Sequence, residues 1–174
     1  MNLLPNPLHP AVVHFPIVLL LLGAVVTIAA VFVRKYGVPA LAAGLLVLGA
    51  VGTWGAVESG ESDGGLVENT APQVNDLVDD HERWAKRTLA MSILAAFAAG
   101  GSVITARWPR IARAVAVVAV VAALVSVAAA YGIYETGHRG GALVYRHGAG
   151  VQVATTKPPP AEAASRTAGV LDTD

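Results

Sequence analysis

Five histidines and no cysteine set the chemistry open to this chain of 174 residues. Without thiolates, disulfide, iron–sulfur and cysteine–metal chemistry are excluded within it. A metal or cofactor must then be held by imidazole, carboxylate, Met or Tyr. His9 and His14 open the chain in the string His9-Pro10-Ala11-Val12-Val13-His14-Phe15-Pro16, and His81, His138 and His147 follow much later. Residues five apart stand about 140° apart around a helix. His9 and His14 therefore do not share a face and are not an i, i+4 metal pair. The partner of His14 is expected on another helix, with His81 as the candidate. Hydrolytic signatures are missing: there is no G-x-S-x-G, and His81-Glu82 lacks the second histidine of H-E-x-x-H.

The elements that must position these side chains are membrane helices. Hydrophobic residues make up 55% of the chain and charged residues 14%, against roughly 25% charged in a soluble domain. Four apolar runs, at about 11–33, 38–57, 86–106 and 112–134, are each long enough to cross a hydrocarbon core as a helix. The alternation of a barrel strand is absent. The expected fold is all-α: an integral membrane four-helix bundle, up-down-up-down, over residues 1–152, with a disordered Pro- and Ala-rich tail over 153–174. No internal repeat stands out beyond two hairpins. The segment Met1 to Pro10 has no Lys or Arg and leads to no small-residue cleavage site, so the first helix is expected to be retained.

Charge sets the expected direction. The two short connections carry Arg34, Lys35, Arg107, Arg110 and Arg113 and no acidic residue. The positive-inside rule puts them in the cytoplasm, with both termini and the Glu58–Lys86 loop outward. Arg83, Lys86, Arg87, Arg139 and Arg146 count against that direction. Trp54, Trp84, Tyr131 and Tyr134 mark the outer interface, and Tyr36 and Trp108 the inner one. Twelve basic and twelve acidic residues cancel, so charge gives no indication of a nucleic-acid partner. No ionisable residue lies near the middle of any run, which argues against a transport pathway.

This topology brings all five histidines to one end. His81 lies in a stripe of Val74, Leu77, Val78, Ala85, Thr88 and Ser92. That stripe suits a helix starting at Pro72. A shorter helix from Asp79, capped with Glu82, keeps His81 on the same side. His81 is expected to point into the bundle. His14 lies about one turn inside the first run, where Pro16 loosens the helix, and is expected to face inward too. Pro10 is expected to begin that helix, with His9 at or before its cap. Gly49, Gly52 and Gly55 would let a helix, or a flat cofactor, approach the second helix closely.

The opening string, His81-Glu82 before the third run, and Gly140-Gly141-Ala-Leu-Val-Tyr-Arg-His147-Gly-x-Gly-Val151 together resemble a bacterial family of predicted inner-membrane proteins. It is the family catalogued as domain of unknown function 2231, and the resemblance covers about residues 7–152. It implies four membrane helices and these histidines, in the cytoplasmic membrane. Members often accompany c-type cytochrome or Rieske-type modules, which implies a link to respiratory electron transfer and a place in a larger membrane complex. Imidazoles from two helices can ligate a haem iron between apolar, glycine-rich walls. The leading expectation is a b-type haem protein with His14 and His81 as axial ligands, His9 and His138 in reserve, and Gly52 and Gly55 beside the ring. Copper or zinc held by His14 and His81 with Glu58, Glu61 or Asp63 is the alternative, as is a non-catalytic subunit that anchors redox partners in the lipid bilayer.

Overall fold

A computed structural model describes residues 8–35, 37–64, 72–105 and 112–149. Tyr36, Arg107, Trp108, Arg110 and the tail over 153–174 lie outside the described residues. The described chain forms α1 (His9–Val12), α2 (His14–Phe32), α3 (Val38–Gly64), α4 (Pro72–Thr105) and α5 (Ala112–His147). α1 and α2 make one span interrupted at Val13, which keeps helical angles (φ −61°, ψ −27°). The interruption has a local cause: Pro16 has no N–H to give the Val12 carbonyl. With that, four stretches are long and apolar enough to cross a membrane.

The helices outrun the apolar segments that define them. The 34 residues of α4 and 36 of α5 reach about 51 and 54 Å, against a hydrocarbon core of about 30 Å. The excess lies at the histidine end. There, α4 begins fourteen residues before its apolar run, as the Pro72 reading expects, and α5 carries on through His138 to His147. The expected outer loop from Glu58 to Lys86 is thus helical on both flanks, and His138 and His147 lie within α5 rather than after it. A Gly-rich segment gave no sign of such continuation, yet packing against α4 supports it.

Each span packs against its chain neighbours, and α2 against α5 closes the ring. The interior is narrow. Leu20, Leu46, Ala95, Ala99 and Ala129 form its fully buried cluster. Thr27, Thr53, Thr88, Ser92, Ser102 and Ser126 are buried too, and each hydroxyl donates to a carbonyl three or four residues back in its own helix. Large side chains such as Phe32, Phe97 and Leu124 lie on the outside. Small residues within and bulky apolar ones without is the arrangement of a bundle in lipid, where close backbone approach drives association.

Candidate functional site: an imidazole pair at one end of the bundle

The first inward-facing histidine is His9, the opening residue of α1. Its backbone N–H, one of the unpaired donors of a helix start, donates to Asp63 Oδ2 of α3 at 2.8 Å. Its Nδ1 lies 2.9 Å from the Ala56 carbonyl and 3.1 Å from Ser59 Oγ. The Ser59 hydroxyl itself donates to that carbonyl. Gly60, one turn beyond Ala56, makes room for the ring: a Cβ there would lie 3.1 Å from His9 Cε1.

His81 is held by the same device from the opposite side. Its Nδ1 lies 3.0 Å from the Thr136 carbonyl of α5. A Cβ on Gly140, one turn beyond Thr136, would lie 3.0 Å from His81 Cε1. A carbonyl only accepts, so in each neutral ring Nδ1 carries the proton and Nε2 keeps its lone pair. Neither Nε2 has a hydrogen-bond partner among the described residues. The two rings meet edge to face, with centroids 6.2 Å apart and planes at 85°.

The remaining expected site residues stand elsewhere. His14 is exposed, and its Nδ1 donates to the Pro10 carbonyl of its own helix at 2.8 Å. The expectation that His14 faces inward is corrected: the 140° between the two histidines lets only one face the bundle, and His9 takes that place. His138 is exposed and stacked on Tyr134, at 6.1 Å and 17°, and His147 is exposed at the last turn of α5. Gly52 receives Phe15 and Pro16, and Gly55 faces open space; neither borders the imidazole pair. Glu58 is exposed, and Glu61 pairs with Lys86 at 3.0 Å. Among the described residues no three His, Asp or Glu gather as a metal cluster.

A charged and aromatic cluster adjoins His81. Arg139 pairs with Asp80 and with Glu135, and its guanidinium lies 4.6 Å from the Trp84 ring centroid. Tyr131 donates to Glu135 at 2.7 Å and meets Trp84 edge to face. Sequence reasoning missed this cluster, because α5 was expected to stop near Tyr134. It also ranked His9 behind His14, holding it only in reserve. A usable signal existed: Pro16, Leu20, Gly23, Thr27 and Ala30 are all buried, and stepping back seven residues from Pro16, nearly two turns, reaches His9.

The arrangement presents two imidazoles from separate spans, each with a backbone acceptor behind it. That is the outer support a metal-binding histidine ordinarily has. No curated protein and no solved structure matches the chain. A model of predicted membrane proteins, DUF2231, matches residues 5–153. With its four membrane-length helices among the described residues and the whole described bundle covered, the chain belongs to the DUF2231 family of predicted membrane proteins.

Proposed function

We propose that this protein is a membrane-anchored electron-transfer subunit in which His9 and His81 would hold a b-type haem. The observation that carries the reading is their juxtaposition at 6.2 Å with both Nδ1 atoms bonded to backbone carbonyls. At that separation the two Nε2 lone pairs are near enough for one metal centre to be held between the spans by His9 and His81. The donor set also favours haem over structural zinc. Zinc takes four protein ligands in such a site, and the described residues gather no third one here. Bound haem would supply a one-electron couple. The chain's own part is to fix the ring tautomers through Ala56 and Thr136 and to place both spans' histidines at one depth.

On the charge pattern, the histidine end faces outward from the bacterial cytoplasmic membrane. Redox partners of the c-type cytochrome or Rieske class would then meet it there. The test is a reduced-minus-oxidised visible spectrum of the protein purified in detergent after expression with ample haem, together with metal analysis. Alpha-band absorption and one haem per chain are expected, lost in both His9→Ala and His81→Ala. A colourless, iron-free preparation would overturn the haem reading and leave an anchoring role for the bundle.

A further inference from the structure

The two hairpins repeat one another residue by residue. In the first helix of each, equivalent positions lie 72 apart; in the second helix they lie 80 apart. Pro16, Leu20, Thr27 and Ala30 thus answer to Thr88, Ser92, Ala99 and Ser102, and all eight are buried. Gly52 receives Pro16 as Gly132 receives Thr88. The Ala56 carbonyl accepts from His9 as the Thr136 carbonyl accepts from His81. Gly60 borders His9 Cε1 as Gly140 borders His81 Cε1. Side-chain types differ at most of these places, which hid the repeat from the sequence. The geometry is what is kept.

We infer that the chain is a duplicated helical hairpin, each half giving one histidine to a single pseudo-two-fold site, with Gly60 and Gly140 as the positioning residues that hold both imidazoles in the Nδ1–H tautomer. Glycine is a poor choice inside a helix, where alanine is favoured. At both positions, however, a methyl group would stand 3.0–3.1 Å from the ring, and the ring would have to move. Moving it lengthens the hydrogen bond from Nδ1–H to the carbonyl. The ligand class that fits is one metal centre taking two like imidazole nitrogens. That ligating role rests on the haem reading above; the tautomer pattern does not. The repeat breaks at one point near the rings, where Ser59 has Arg139 as its counterpart, so the field around the pair is not symmetric.

The test uses the full chain in detergent micelles, free of haem and metal, labelled with 15N-histidine and assigned by single His→Gln variants. At alkaline pH both His9 and His81 should show the Nδ1–H pattern of ring shifts. Gly60→Ala should move His9 toward the Nε2–H pattern and leave His81 unchanged. Gly140→Ala should do the reverse, with helix content by circular dichroism unaltered in both. Nε2–H tautomers in the unmodified chain, or glycine variants that change neither ring, would overturn the inference. Haemin added to the same samples separates the two claims. Expected tautomers with no haemin uptake support the positioning role and sink the haem reading; uptake that falls at least tenfold in both glycine variants supports both.

Discussion

Leu20 on α2 and Gly49 on α3 are fitted to one another. A Cβ on Gly49 would lie 2.6 Å from Leu20 Cδ2 and 3.4 Å from the Leu20 backbone nitrogen, and Leu20 is fully buried there. Gly23 and Leu46 make the same fit in the reverse sense. Between them these pairs set the distance between the first two spans, and so the depth at which His9 meets Ala56.

The first prediction concerns that fit. Gly49→Ala should destabilise the bundle by about 1–3 kcal/mol through overpacking, and Leu20→Ala by about 2–5 kcal/mol through an unfilled cavity. Because the two residues touch, the double variant should be less destabilised than the sum of the single ones. Reversible unfolding in mixed micelles measures all three. Strict additivity would show that Leu20 does not pack against Gly49.

The histidines give a graded panel. His14→Ala removes an exposed ring bonded to the Pro10 carbonyl, so haem content should be unchanged and stability should stay within about 0.5 kcal/mol of the unmodified protein, as for surface changes in general. His138→Ala should behave likewise. Haem content by pyridine haemochrome assay checks both, and loss of haem in either would point to a ligand set other than His9 and His81.

Arg139 joins Asp80 of α4 to Glu135 of its own helix while covering Trp84. Arg139→Ala removes the cation between two carboxylates and uncovers the indole, so thermal stability in detergent should fall. Arg139→Lys keeps a charge but not the planar fork or the stacking, and should fall between. The expected order of Tm is Arg above Lys above Ala. Equal values for Lys and Ala would show that charge alone contributes nothing here.

Direction in the membrane can be read chemically, because the chain has no cysteine of its own. Ser62 is exposed near the end of α3, and Lys35 is exposed at the opposite end of the bundle. On expression in a bacterial host, an impermeant maleimide should label Ser62→Cys while the cytoplasmic membrane is intact, and Lys35→Cys only after that membrane is broken. The converse pattern would invert the topology argued from the basic connections.

Much of the molecule was legible because hydrocarbon imposes one strong rule. Uncharged runs near twenty residues had to be helices, and short connections had to make them antiparallel. The stripe through Val74, Leu77, Thr88 and Ser92 also placed His81 inward correctly, since α4 carries enough charge for its faces to differ. Within α2 no such contrast exists. Apart from His14, every residue there is apolar or small, and the inward face is told only by the recurrence of Gly23, Thr27 and Ala30, a weak signal beside bulky neighbours.

For the first histidines, sequence alone decided that His9 and His14 could not both face the interior, since five residues turn a helix by about 140°. It did not fix which one would, and the expectation of His14 was the wrong choice. The outcome depended on which face of α2 carried the knob for Gly49, and the fit of Leu20 into α3 turned His9 inward and His14 outward. Tertiary packing likewise carried α5 through Gly137, Gly140 and Gly141, where local propensity would have ended it. Composition and periodicity therefore determined four membrane helices and gathered the histidines at one end. Only the contacts between spans, which depend on the shapes of residues far apart in the chain, made a pair of His9 and His81.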